Sequence, residues 1–325
     1  MDKKIHDNLI VSSSPHIVTN LDTQKTMAMV LIALVPAFLV SIWVFGVRVI
    51  LLTLVCVVAC MFFEWAYNKL MKRPQTVGDL SAAVTGVLLA FSVPAGLPYW
   101  IAIVGCFVGI VVIKQLYGGI GKNLVNPANT ARVVLLISFT SEMTTWPLPR
   151  MAVDGASSAT PLGILKEGTG ELPSNLIMFI GNIGGSMGEI SAVALLIGGL
   201  FLIWKKIISP IIPACFIGTV FVFAVIYYMI TGTGDPLEMG IFHVLAGGVM
   251  IGAFFMATDY VTSPMLPLGK VIFGIGCGVI TMLIRFYGSY PEGVSFSILL
   301  MNVLTPLIDN LCQKRLYGGA KKNEK

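Results

Sequence analysis

The chain has 325 residues, of which 56% are hydrophobic and 11% charged, with a net charge of +5 and a mean hydropathy of +0.88. Soluble domains carry about 25% charged residues, so this composition excludes a water-soluble globular protein and requires a lipid-facing exterior. The basic excess lies in loops beside apolar spans, which marks membrane orientation and argues against a nucleic-acid partner.

Residues 1–25 are polar and lack both an apolar stretch and a small-residue cleavage site, so they read as a cytoplasmic N-terminal tail and not as a leader. A membrane-crossing helix needs about 20 mostly apolar residues. On that measure the chain offers about ten candidates, at 26–45, 49–68, 79–94, 98–117, 126–140, 176–204, 208–230, 242–258, 270–287 and 294–312. The sixth is interrupted, because Gly181-Asn182-Ile183-Gly184-Gly185-Ser186-Met187-Gly188-Glu189 is too rich in glycine for one smooth helix. Residues 176–187 are therefore expected to be a re-entrant or broken piece leading into a single crossing. The fold class predicted is an all-α polytopic membrane protein.

With the N-terminus inside, only Arg48, Arg150, Lys166 and Arg285 fall on or near the outer face. The other lysines and arginines, Lys114 and Arg132 among them, fall on the inner side. Because cytoplasmic loops carry the basic excess, both termini are expected in the cytoplasm, with 313–325 as a basic tail. The long loop 141–175 is then extracytoplasmic.

Two regions echo each other. Phe91-Ser92-Val93-Pro94 is followed by Tyr117-Gly118 at the spacing at which Val261-Thr262-Ser263-Pro264 is followed by Tyr287-Gly288. The first unit starts inside and the second outside, so 26–140 and 176–312 form two inverted repeats. In such folds short or interrupted helices meet near the midplane and build the functional site.

Three segments carry candidate chemistry. Asn126-Pro127-Ala128-Asn129-Thr130-Ala131-Arg132 opens a helix, with proline where no backbone donor is needed. Helix N-termini attract anions such as phosphate, so Asn126 and Arg132 are candidates for holding the polar edge of a cofactor or for joining the repeats. Asp154-Gly155-Ala156-Ser157-Ser158-Ala159-Thr160-Pro161-Leu162 is a hydroxyl-rich loop of small residues in an otherwise apolar chain. Taken alone it is equally a connector in which Asp154 caps a turn. Acidic groups at membrane depth are expensive and usually functional. Glu189, in the glycine-rich break, is the leading candidate, either for a coupling cation or for stabilising the break; Glu64, Asp79 and Asp259 follow, Asp79 as a helix cap. The six cysteines contain no C-x-x-C pair, and His6, His16 and His243 offer no haem pair at membrane depth.

Together, Val11-Ser12-Ser13-Ser14-Pro15-His16-Ile17, Gly121-Lys122-Asn123-Leu124-Val125-Asn126-Pro127-Ala128, the 154–162 loop and Gly185-Ser186-Met187-Gly188-Glu189 resemble the RnfD family, membrane subunits of the Rnf complex. That complex is an ion-translocating ferredoxin:NAD oxidoreductase. The family is similar to the NqrB subunits of the sodium-translocating NADH:quinone reductase, whose longer N-terminal extension is missing here, and to urea transporters in its inverted-repeat architecture.

The resemblance implies FMN bound covalently through a phosphodiester to Thr160, since the loop is similar to the D-x-x-(S/T)-G-A-T pattern of flavin attachment. A separate extracytoplasmic flavin transferase would take FMN from FAD, with Asp154 guiding recognition of the loop. Position 158 is Ser where the family usually has Gly, so Ser157 and Ser158 stand as further chemically competent acceptors. The partners implied are a second FMN-bearing subunit, paired membrane subunits sharing a cluster, cytoplasmic iron–sulfur and flavin/NAD subunits, and membrane lipid. A non-covalent flavin such as riboflavin between the repeats and the choice of Na+ or H+ are left open. The rival readings are the flavin subunit of a quinone reductase and a small-solute channel on the same repeat.

Overall fold

Two long apolar helices, α1 (Thr23–Phe45) and α2 (Val47–Leu70), are separated only by Gly46, and Asp22 caps the first by accepting from Thr23 N at 2.7 Å. A computed structural model describes residues 22–147, 157–158, 160–168, 172–181 and 183–316. After a 3-10 turn at Val77–Asp79 come α3 (Ser81–Phe91) and α4 (Tyr99–Gln115), whose final part, Val108–Gln115, widens into a π-helix. Next are α5 (Pro127–Ser138) and the short α6 (Thr140–Met143). A two-residue antiparallel ladder sets β1 (Trp146–Pro147) against β2 (Ser157–Ser158), with Trp146 opposite Ser158.

The second half contains α7 (Pro161–Glu167), α8 (Asn175–Ile180), α9 (Ala192–Trp204) and α10 (Ile211–Thr231). It continues with α11 (Pro236–Leu245) and α12 (Val249–Met256), and ends with α13 (Pro267–Tyr287) and α14 (Val294–Leu316). Among the described residues five helices are long and apolar enough to cross a membrane, α1, α2, α10, α13 and α14, and the α11–α12 pair makes a sixth if it is counted as one broken span. Helices α3, α4 and α9 are apolar but shorter. Side chains such as Leu39, Leu54, Phe62 and Ile230 are more than half exposed on the outside. An apolar surface of that extent belongs in lipid.

The expected helix 242–258 is corrected by the structure: α11 and α12 meet at a 63° bend. The cause is local, because Gly247 and Gly248 take φ of +60° and +65°, a left-handed conformation that ends a helix and that glycine adopts without penalty. Leu80, also left-handed at φ 62°, delays α3 to Ser81, so the predicted 79–94 becomes a turn and a shorter helix. The interrupted 176–204 region is two separate helices. Gly181 (φ +113°) stops α8, and α9 starts at Ala192, where Ser191 Oγ accepts from Ala194 N at 3.3 Å.

Helix α1 packs against α9, α2 against α3 and α4, α10 against α11 and α13, and α5 against α14. The larger core joins Leu52, Cys56, Leu89 and Phe91 of the first half to Leu195, Phe254 and Phe255 of the second. A second core centres on Phe216, Phe273 and Ile298. A smaller one, with Val44, Leu162, Met178, Ile190 and Phe242, seats α7 and α8 on the bundle.

Helix α3 lies close against α2. A Cβ on Gly86 would lie 2.8 Å from Val57 Cα and 2.9 Å from Cys56 O, both rigid backbone atoms. Overpacking of this kind costs about 1–3 kcal/mol. Gly86→Val is expected to lower the thermal stability of the purified protein by that order, whereas Gly218→Ala, with open space around its Cβ, is expected to change it little.

Candidate functional site

The first turns of α5 meet the first turn of α14 inside the bundle. Asn126 caps α5, its Oδ1 accepting from Asn129 N at 3.1 Å, while its Nδ2 donates to Met256 O at the end of α12 at 3.2 Å. One helical turn on, Asn129 Nδ2 donates to Ser295 O at 2.8 Å. Arg132, another turn along, donates from NH1 to Ser295 Oγ at 2.9 Å and from NH2 to Glu292 Oε2. The same NH2 lies 3.3 Å from Glu189 Oε1. One guanidinium therefore ties together α5, the segment before α9 and the start of α14. All of Asn126, Asn129, Arg132, Glu189 and Ser295 are buried. A charge removed from water persists only if paired and hydrogen-bonded, and Arg132 has two carboxylates.

Glu189 fits because Gly248 has no side chain. A Cβ there would stand 2.7 Å from Glu189 Oε1. The glycine that breaks the α11–α12 helix thus also makes room for the carboxylate. Beside it, Arg285 of α13 closes the end of α11 by donating to the carbonyl oxygens of His243, Ala246 (2.8 Å) and Gly247 (3.0 Å). His243 Nε2 lies 3.3 Å from Tyr228 OH, within an aromatic group where Tyr227 and Phe286 stack at 3.8 Å.

Thr160 is buried, with 6% of its surface exposed. It is the N-cap of α7, and its Oγ1 accepts from Gly163 N at 3.1 Å. Two residues on, Leu162 packs on the α11–α12 break, its Cδ1 filling the space that a Cβ on Gly247 would need. The Thr160 segment and the Arg132 network therefore both pack against the same pair of glycines. Ser157 and Ser158 form β2; Asp154 lies outside the described residues.

Between the two halves lies a cavity of about 470 Å³, lined by Asn126, Asn123, Lys114 and Ser81 from the first half and by Phe254, Phe255 and Asp259 from the second. Volumes of roughly 300–1,000 Å³ suit small-molecule and cofactor sites. Lys114 is buried at its wall, paired with Glu64 at 2.9 Å. No group of three His, Cys, Asp or Glu is placed to hold a metal ion among the described residues.

Of the residues singled out from sequence, the structure brings together Asn126, Arg132 and Glu189, with Thr160 at the head of the helix that packs on the break. Asp79 does take a capping position, accepting from Ser81 N at 2.8 Å. Lys114 and Arg285, read from sequence as loop charges that set orientation, are both buried; each lies in the last turns of an apolar helix, where hydropathy does not separate an inward from an outward charge. Glu292 and His243 were also missed. The usable signal was that an ionisable residue within an apolar span is costly and needs a partner.

A helical membrane bundle whose halves are clamped by a buried ion network and enclose a separate cofactor-sized cavity is the class these features define. Residues 10–318 match the model of the NQR2, RnfD, RnfE family. The chain is 50% identical over 317 residues to the D subunit of the Na(+)-translocating ferredoxin:NAD(+) oxidoreductase complex of Acetobacterium woodii, covering 97% of this chain and 96% of the relative. It is 42% identical over 320 residues to the D subunit of the proton-translocating ferredoxin:NAD(+) oxidoreductase complex of Clostridium ljungdahlii, covering 95% and 96%. Identity is 39% over 328 residues to the D subunit of the ion-translocating oxidoreductase complex of Stutzerimonas stutzeri, covering 90% and 92%. The chain belongs to the NQR2, RnfD, RnfE family, as its motifs suggested.

Removing one member of a buried ion pair strands the other charge, which costs about 3–5 kcal/mol. Arg132→Met is expected to destabilise the protein by that order, read as loss of monodisperse material or a fall in Tm. Adding Glu189→Gln and Glu292→Gln to it, which removes the stranded carboxylates, is expected to restore much of the loss.

Proposed function

We propose that this chain is the membrane-embedded flavin subunit of an ion-translocating ferredoxin:NAD oxidoreductase, carrying FMN on Thr160 and passing electrons between partner subunits while Na+ or H+ is moved. The observation that carries the reading is the hydroxyl of Thr160 at the head of α7, in a chain 50% identical to a relative from such a complex over 97% of its length. The geometry fits esterification. Thr160 Oγ1 accepts from Gly163 N, so losing its proton to a phosphodiester leaves that hydrogen bond available. Bound flavin supplies the conversion between two-electron and one-electron transfer; the chain positions it. Leu162, held against Gly247, fixes the height of the attachment point over the α11–α12 break.

The cavity between the halves suits a second, non-covalent flavin such as riboflavin, with Asn126 and Lys114 as polar wall groups and Phe254 and Phe255 as apolar ones. Arg132 lies deeper, engaged by Glu292 and Glu189, and acts in this reading by holding α5 and Asn126 in place. Of the two roles expected for Glu189, its pairing with Arg132 favours stabilising the break over binding a coupling cation.

The ten-span, inverted-repeat architecture similar to urea transporters draws support from the pairing of α1 with α9 and of α5 with α14, because equivalent helices meet across a pseudo-two-fold axis. In this arrangement both termini face the cytoplasm of a prokaryotic cell and the 141–175 loop, with Thr160, faces outward, the side on which a flavin transferase would act before the loop packs down. The partners are then the second FMN-bearing subunit, the paired membrane subunits and the cytoplasmic subunits that meet ferredoxin and NAD.

Protein from the native host, denatured and run on a gel, is expected to fluoresce under ultraviolet light, and its intact mass to carry one FMN less one water. Thr160→Ala is expected to lose both signals. An unmodified Thr160 peptide from native membranes would overturn the covalent assignment and favour the solute-channel alternative.

A further inference from the structure

Lys114 has no task in simple electron transfer, yet the fold goes to some length to bury its charge. It lies in the π-helical end of α4, and such widened turns recur at functional sites. Its Nζ donates to Glu64 Oε1 and Oε2 at 3.0 and 2.9 Å and to Ser81 Oγ at 2.6 Å, and both Lys114 and Ser81 line the cavity. Glu64 is fully buried and accepts further bonds from Gln115 Nε2 at 2.9 Å and Thr76 Oγ1 at 2.7 Å. Thr76 accepts in turn from Asn68 Nδ2 at 3.0 Å and is only partly buried. On a second branch the Ser81 hydroxyl donates to Asp79 Oδ1 at 2.5 Å, and Asp79 is also partly exposed. Two unbroken lines of hydrogen-bonding groups thus run from the cavity wall to the aqueous edge of α2 and α3, and they join at Lys114.

Fastening α2 to α4 does not require this. Apolar residues of similar volume hold helices together at least as well as a buried ion pair, and α2 and α4 already share the Cys56, Cys60 and Cys106 core. What apolar residues cannot do is conduct a proton. A flavin ring that gains an electron in this cavity needs a proton to remain neutral, and Lys114 is the one basic group among the described residues that line it.

We propose that Lys114 is the proton donor to the cavity flavin, resupplied from the surface through Thr76 and Glu64, with Asp79 and Ser81 as the second branch. The inference rests on the second-flavin reading above. As one electron arrives from a one-electron carrier in a neighbouring protein of the complex, an Nζ–H bond of Lys114 breaks and the proton bonds to a ring nitrogen. The Thr76 hydroxyl then gives its proton to the Glu64 carboxylate as it takes one from hydronium at its exposed side. Glu64 passes that proton to the neutral amine of Lys114. Each cycle moves one electron and one proton onto the ring and leaves the Lys114–Glu64 pair as it began.

The test is the double variant Lys114→Met/Glu64→Gln in the intact complex, which removes both charges together and so avoids stranding either one. Flavin released by acid denaturation, the rate of cavity-flavin reduction in H2O and D2O, and the time-resolved infrared difference spectrum during reduction are measured. Wild type is expected to release the flavin, to show a solvent isotope effect and to show a transient, D2O-sensitive carboxyl band. In the fraction that retains the cavity flavin, the double variant is expected to lose the band and reduce about 100-fold more slowly, the scale of a lost general acid. If it binds flavin and reduces at the wild-type rate, the relay is wrong and the cavity reading stands. If wild type releases no flavin beyond the covalent one, the cavity reading fails and the relay with it. If the double variant does not assemble, Lys114→Arg serves in its place: it keeps the charge but does not release a proton in proteins, so slow reduction with full flavin content supports the relay and a wild-type rate overturns it.

Discussion

The ion network at Arg132 is the constraint on which the rest of the architecture turns. A guanidinium placed away from both water and lipid headgroups must find compensating charge within the protein, and it finds Glu189 at 3.3 Å with Glu292 beside it. Those two carboxylates come from segments far apart in sequence. Satisfying one arginine therefore fixes where α5, the 183–191 segment and the head of α14 stand relative to one another. The buried pairing is an expensive way to gain stability, but it sets the relative positions of three segments.

Two glycines carry that positioning outward. Gly247 and Gly248 bend the α11–α12 unit, Gly248 leaves space for the Glu189 carboxylate and Gly247 for Leu162. Arg285 then satisfies the carbonyl groups that the bend exposes. The result is a line of packed side chains from the Thr160 helix to the Arg132 network. A flavin anchored at Thr160 and one bound between the halves would be held in a fixed relation without any direct bridge between them, which is what stepwise electron transfer within one membrane protein needs.

Much of this was legible in the chain. The Asn126-Pro127 start of α5, the placement of Glu189 in a break and the helical membrane class follow from capping chemistry, glycine content and hydropathy, and the structure has each of them. The 242–258 segment was not legible, because membrane helices tolerate Gly-Gly pairs and only the packing of Leu162 and Glu189 shows that this one bends. Lys114 and Arg285 were hidden for a related reason. Near a helix end a basic residue can reach the headgroups, and sequence does not reveal that Glu64 and the carbonyl groups of α11 turn these two inward. The partners of Arg132 at 292 and 295 needed the meeting of α5 with α14, which no local pattern encodes.

The most direct test of the account is a cryo-electron microscopy map of the complex from its native host, at a resolution that shows side chains. The account expects flavin-shaped density within the cavity beside Asn126 and Lys114, density continuous from the Thr160 oxygen, and Arg132 between Glu189 and Glu292. A cavity holding only lipid chains, with a bare Thr160 and Arg132 turned to solvent, would contradict it.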